Sequence, residues 1–337
     1  MNGGLYVSYA MGIRNMDTTS VRAGSPEATA SDHADVNGRR AASPSAIRHA
    51  MSPIDGSRRV VKVAMPHPQF AGDIVTEVQT GIQFVDPSPT TRELAHLYGV
   101  VYNKAYGRDL SANATVPSFV TRRANAQLKF IQSHLPAQIE CAHIVEVGGG
   151  WGALSSALMG AGSPFSHNVV CYELDSHAVE FMKSRGICAR KGSLEAAPLA
   201  EVAESSVDLI VSSMMLEHLP SPRDALQAWG RRLKAGGHIF VEVPLENPVP
   251  TWWGTDPSEP YWVGHVTFFA RGHVDALLDS AGFDVIASLP FDHCVAPNFV
   301  NKGDAPYCVE SVPVSLDSTP SELGQPRLVR ILARKRG

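Results

Sequence analysis

The chain has 337 residues, 44% of them hydrophobic and 18% charged, with a formal net charge of −4. That apolar share supports a sizeable core, and the small net charge gives no electrostatic pull toward nucleic acid or an anionic membrane surface. No run of about 18 apolar residues suggests a spanning helix, and the five scattered cysteines form no CxxC pair, which argues against a zinc knuckle and fits a reducing, cytoplasmic setting.

Residues 1–60 are rich in Ser, Ala, Arg, Asp and Gly and show no sustained period. Such a segment cannot bury enough apolar surface to offset its ordering entropy, so a disordered tail is expected. A transit peptide is the competing reading, and Asp17, Glu27, Asp32 and Asp35 argue against it. A start at Met11, Met16, Met51 or Met65 is a third. Residues 61–142 are expected to form a helical lid and connector. Asp86-Pro87-Ser88-Pro89 precedes a helix start with Thr90 or Thr91 near the N-cap and Glu93 following. Phe119, Val120, Leu128, Phe130, Ile131 and Leu135 then recur at helical spacing, up to Pro136.

From 143 to 337 the pattern alternates. Strands are predicted at 143–148, 168–174, 187–190, 207–214, 238–244, 283–288 and 327–334, and helices at 152–161, 175–185, 222–233 and 271–281. Short apolar strands joined by long connections predict an α/β fold with a doubly wound, mostly parallel sheet.

The run Glu146-Val147-Gly148-Gly149-Gly150-Trp151-Gly152 ends a strand and opens a helix, and Glu173 ends the next strand. Glycines there let a ligand approach the backbone at a helix N-terminus, and an acid on the second strand can accept ribose hydroxyls. Gly148-x-Gly150-x-x-Ala153 formally fits a dinucleotide fingerprint. A carboxylate at Glu146 would sit poorly against a pyrophosphate, whereas it complements the cationic methyl donor S-adenosylmethionine.

Further pieces follow in order: Val207-Asp208-Leu209-Ile210-Val211, Leu216-Glu217-His218-Leu219, Leu233-Lys234-Ala235-Gly236-Gly237 and "GHVTFFARGHVDALLDSAGFDV". With the glycine loop and Glu173, these make residues 143–288 resemble class I S-adenosylmethionine-dependent methyltransferases of a small-molecule branch. The resemblance implies a seven-stranded Rossmann-like sheet whose last strand, 327–334, is antiparallel. It implies S-adenosylmethionine as cofactor. Glu146, Gly148, Gly150 and Gly152 would shape the methionine end, with Glu173 on the ribose. Ser193 and Leu194 would lie beside the adenine, and Ser213 is a further donor-side residue. The family usually has Gly-Asp after the third strand, and here Gly192 is followed by Ser193. "GIQFVDPSPTTRELAHLY" also resembles the segment after a zinc knuckle in some C-methyltransferases, but the cysteines before it are missing.

Methyl transfer needs alignment, exclusion of water and, for a hydroxyl, removal of a proton. His218, at the carboxyl end of the fourth strand, and His265 are the candidate bases. The aromatic loop bearing Trp252, Trp253, Asp256 and Tyr261 is a candidate acceptor wall, and Tyr102 and Tyr106 are candidate lid residues. Arg122 and Arg123 could pair with the donor's carboxylate. His265 and His273 lie eight apart without a neighbouring cysteine, so no metal site is expected. The expected function is O-methylation of a small molecule, with no nucleic-acid or membrane partner. S-, N- or C-methylation, an NAD-binding oxidoreductase and an inactive binding protein are the alternatives, and a homodimer is compatible with all of them.

Overall fold

The computed structural model describes residues 46–105, 108–111, 113–136, 143–160, 163, 165, 168–192, 199, 201–249, 264–292 and 327–337. All of them belong to one compact unit, residues 42–337. Of the expected tail, residues 1–45 lie outside the described set.

The alternating half of the chain forms the expected sheet. Its strands are β5 (Ile144–Val147), β6 (Val169–Glu173), β7 (Cys188–Lys191), β8 (Val207–Ser213), β9 (Leu233–Leu245), β11 (Phe283–Asp292) and β12 (Arg327–Lys335). They lie in the order β11-β12-β9-β8-β5-β6-β7. The five strands β5 to β9 pair in parallel, and β12 runs antiparallel between β9 and β11. β9 starts earlier than predicted because Leu233 already pairs with Val207. All four residues of β5 are buried, as a central parallel strand requires.

Helices cover both faces. α3 (Ser118–His134) and α4 (Ala153–Met159) place Phe130, Ile131, Leu154 and Leu158 against Leu209 and Phe240. On the other face, α6 (Pro222–Arg232) and α7 (Arg271–Ser280) bring Leu226, Trp229 and Leu277 against Ile210 and Ile239. The chain leaves β5 toward β6 and β7, then returns to its other side at β8. The carboxyl ends of β5 and β8 therefore flank the switch point where open α/β sheets bind ligands. Among the described residues no helix is long and apolar enough to cross a membrane.

The region before 118 departs from expectation. It begins with β1 (Ile47–Met51), β2 (Arg58–Pro66), β3 (Asp73–Glu77) and β4 (Gln83–Asp86). With β10 (Thr267–Phe268) they make a second, wholly antiparallel sheet in the order β1-β2-β3-β4-β10. The boundary expected at residue 60 thus falls inside β2, and the lid is only partly helical. Val61 and Val63 alternate with exposed Val60, Lys62 and Ala64, the period of a half-buried strand. Their buried side chains join the same apolar cluster as Leu226 and Leu277. The helical part follows as α1 (Thr91–His96), a π-turn over Leu97–Val101 and α2 (Tyr102–Ala105). Thr90 caps α1 as expected: its hydroxyl accepts from Glu93 N at 3.2 Å, and Thr90 N donates to Glu93 Oε2 at 2.8 Å.

Candidate active site

The glycine loop leaves β5 with Gly148 and Gly150 at φ +81° and +56°. A Cβ on Gly148 would lie 2.7 Å from Met215 Cγ, and one on Gly149 would lie 2.1 Å from Cys171 Sγ. The loop is therefore pressed against the β6 and β8 ends. A Cβ on Gly150 would meet nothing nearer than Arg108 Nη2 at 3.6 Å, so that part of the loop faces a crevice. Gly152 is the N-cap of α4.

Glu173 ties the two sides of this crevice together. Its Oε2 accepts from Gly150 N at 2.7 Å, and its Oε1 accepts from Leu174 N at 2.6 Å and Asp175 N at 3.0 Å. Glu146 is placed differently from its expected ligand role. It is 3% exposed, and its Oε2 accepts from the backbone N and hydroxyl of Ser155 on α4. Burial raises its pKa to about 7. It anchors the helix behind the loop. Ser213 likewise belongs to a buried network, accepting from Gln127 Nε2 at 2.8 Å and donating to Glu242 Oε1 at 3.2 Å.

Arg123 is paired inside this network, its Nε donating to Glu242 Oε1 at 2.6 Å. Arg330 also binds Glu242. Burial alone would raise the Glu242 carboxyl, but the two guanidiniums outweigh it and hold the pKa at about 2. Arg122 is exposed. Among the described residues Arg108, a cation without a sequence signal, lies beside the glycine loop. Its guanidinium lies 5.8 Å from the Tyr102 ring centroid and 5.6 Å from that of Trp151. Its buried Nε and Nη2 have no hydrogen-bond partner among the described residues.

A second cluster of buried side chains is built around His218. Met214, at φ +53°, turns the chain at the end of β8, and the turn Leu216–His218 follows. His218 Nδ1 lies 3.1 Å from Gly264 O. A carbonyl only accepts, so Nδ1 carries the proton and Nε2 keeps its lone pair. The His265 ring stands edge-on to His218 at 4.6 Å, and the rings of Tyr98 and Tyr102 lie 5.8 Å and 6.0 Å from it. His265 Nδ1 lies 2.8 Å from Glu246 Oε2, a partner without any sequence signal. Burial pulls His218 well below the ordinary histidine range and His265 to about 3. Burial also pushes the Glu217 and Glu246 carboxyls well up. Both imidazoles are therefore neutral near pH 7, and burial lifts Tyr102 to about 12, which keeps it a phenol.

The structure thus brings together Gly148, Gly150 and Glu173 on one side and Tyr102, His218 and His265 on the other. Ser193, Leu194, Tyr106, Trp252, Trp253, Asp256 and Tyr261 lie outside the described residues.

The family model "Methyltransferase domain" matches residues 118–288, from α3 into β11. The chain belongs to this methyltransferase family. Its methyl donor is S-adenosylmethionine. The methyltransferase is 30% identical over 108 residues to a ubiquinone biosynthesis O-methyltransferase from Cupriavidus pinatubonensis, covering 31% of this chain and 42% of that protein. It is 31% identical over 129 residues to the protein of that name from Ralstonia nicotianae, covering 36% and 50%. The chain spans about half the length of the curated relatives it matches. A solved S-adenosylmethionine-dependent methyltransferase from Thermotoga maritima, a possible histamine N-methyltransferase, is 18% identical with a TM-score of 0.46, covering 65% of this chain and 93% of its own.

Proposed function

We propose that the protein transfers the methyl group of S-adenosylmethionine to a hydroxyl of a small molecule. The observation that carries this reading is the His218 imidazole held by Gly264 O at Nδ1, at 3.1 Å, which leaves the Nε2 lone pair on the carboxyl-end side of the sheet. A hydroxyl acceptor must lose a proton as its oxygen attacks, whereas an amine or thiol acceptor makes less demand on a base. The O-methyltransferase names of the partial relatives point the same way.

The donor lies above Gly150, its ribose hydroxyls toward Glu173 and its carboxylate toward Arg108. Two buried guanidinium nitrogens, Nε and Nη2, without a partner among the described residues are costly, and a carboxylate accepting from both satisfies them. Cation–π contacts with Tyr102 and Trp151 help hold the guanidinium in place. At the reacting centre, the acceptor proton moves into the His218 cluster as the C–S bond breaks and the C–O bond forms. A buried imidazole is a weak base. Loss of the sulfonium charge in the same step makes room for the new positive charge, and Glu217 Oε1, 3.9 Å from Nε2, lies beside it.

Calorimetry with S-adenosylmethionine, followed by product analysis on a panel of hydroxyl, amine and thiol acceptors, tests the reading. Donor binding is expected to weaken in Arg108→Leu, and His218→Gln is expected to lower kcat while leaving donor affinity intact. Absence of donor binding by the wild type would overturn it. So would methylation of amines or thiols alone.

A further inference from the structure

We propose that Glu217, His218 and His265 form a binding site for one divalent cation of the zinc class. Each offers one ligand atom, and these atoms all lie within 4.8 Å of one another. In the sequence, the histidine nearest to His265 is His273, eight residues on. The fold instead brings His265 beside His218, from a different strand end.

Three observations build the site. First, Glu217 is 0% exposed, and neither carboxylate oxygen has a hydrogen-bond partner among the described residues. A buried carboxylate without a partner is costly, and a cation is the partner that best repays it. Second, the His218 ring is oriented as a ligand would be. Its Nδ1–H donates to Gly264 O at 3.1 Å, which turns the Nε2 lone pair toward Glu217 Oε1 at 3.9 Å. Glu246 holds the His265 ring at Nδ1, at 2.8 Å. A carbonyl or a carboxylate on the outer nitrogen is the usual support of a metal-bound imidazole.

Third, the backbone around the cluster is fixed. Val266 N donates to Glu217 O at 2.7 Å, His67 Nε2 lies 3.0 Å from His265 O, and Gly264 N donates to Gln69 Oε1 at 2.8 Å. Two imidazoles and a carboxylate suit zinc and its neighbours better than calcium or magnesium. Three protein ligands also leave a coordination position open.

The inference deepens the acceptor side of the function proposed above and is independent of the donor side. With an ion bound, His218 Nε2 would be a ligand rather than a base; the ion would lower the pKa of a hydroxyl held at its open position, so that the proton would leave to solvent before the oxygen takes the methyl group.

The test uses tag-free, full-length protein dialysed against a chelator, then titrated with zinc against a chromogenic competitor. About one equivalent is expected to bind. Glu217→Gln and His265→Gln are each expected to bind at least about tenfold more weakly, and Glu246→Gln about 10- to 100-fold more weakly. His273→Gln, outside the cluster, is expected to bind like the wild type. Cobalt substitution is expected to give the visible spectrum of a low-coordinate site. If a variant fails to fold, the wild type still decides, because a ligand of the native state must raise Tm with its concentration. No zinc uptake and no Tm rise in the wild type would overturn the proposal, as would undiminished affinity in folded Glu217→Gln. Donor calorimetry on the same samples separates the readings. Donor binding without zinc uptake sinks the metal site alone, and zinc uptake without donor binding sinks the methyl-transfer reading alone.

Discussion

Gly148→Ala tests the donor loop by adding one methyl group. At φ +81° an L side chain costs about 1–2 kcal/mol. The new Cβ would lie 2.7 Å from Met215 Cγ and 3.2 Å from Met215 Cβ, so a rotation of the outer side chain cannot relieve the clash. Overpacking of this kind costs about 1–3 kcal/mol. The expected loss of stability is therefore about 2–5 kcal/mol. Gly186→Ala is the matched control, because its φ is +77° and nothing lies within 4 Å of the new atom. It carries only the backbone cost, about 1–2 kcal/mol. Urea unfolding of both variants measures the difference, which isolates the Met215 contact. Calorimetry with S-adenosylmethionine measures function: about tenfold or more is expected to be lost in Gly148→Ala, and less than about twofold in Gly186→Ala. Equal destabilisation and equal donor affinity in the two variants would refute the argument that this loop is pressed onto the β8 end.

Glu242→Gln leaves two guanidiniums facing a neutral amide, and the loss expected from breaking such a buried set is about 3–5 kcal/mol. The carboxyl's pKa falls from 4.5 to about 2 on folding, so its ionisation contributes about 3 kcal/mol. That contribution is complete above pH 4.5 and is lost as pH falls toward 2, so acid unfolding curves of wild type and variant should converge there. Glu146 has the opposite sign. Its pKa rises from 4.5 to about 7 on folding, so stability is lost as pH rises through that window, by about 3 kcal/mol. Glu146→Gln should remove that loss, and thermal melts from pH 4 to pH 8 would show the variant gaining on the wild type. Because burial lowers His218, the acid limb of kcat/KM in metal-free enzyme should lie below the ordinary histidine range near 6.5; a limb at or above it would show another group accepting the proton.

The central strands of the seven-stranded sheet were legible because they are buried on both faces and read as short apolar runs. Ile144–Val147, Val207–Ser213 and Arg327–Lys335 fall within a residue or so of expectation. The smaller sheet was not, since its period-2 signal is carried by few residues. In Arg58–Pro66 only Val61 and Val63 are buried, and charged neighbours mask the alternation. At the site, Gly148, Gly150 and Glu173 were legible from order along the chain. Arg108 and Glu246 were not. Each is a lone charged residue in a loop, and its partner is set by tertiary structure alone. Glu146 shows the converse: its place before the glycines is plain in the sequence, but its Oε2 is used by Ser155.

The division of labour between the sheets makes His67 a decisive position. The larger sheet supplies the donor loop, while the smaller one holds the backbone that carries His265. His67 follows β2, and its Nδ1 accepts from Gln69 N and Phe70 N, each at 3.1 Å. The proton must then lie on Nε2, which donates to His265 O at 3.0 Å. Burial lowers its pKa to about 3, so this tautomer persists across the working range. His67→Phe would preserve the ring stacking on Phe70, at 4.8 Å, while orphaning two donors and one acceptor. At about 1 kcal/mol or more for each, the cost is at least about 3 kcal/mol. The loop carrying Gly264 and His265 would lose one of its anchoring contacts, but Glu173, Gly150 and Arg108 would not be touched. In folded His67→Phe the acceptor KM should therefore rise and kcat fall, with donor affinity by calorimetry unchanged. A variant that instead lost donor affinity and kept its acceptor KM would show that the smaller sheet supports the donor crevice.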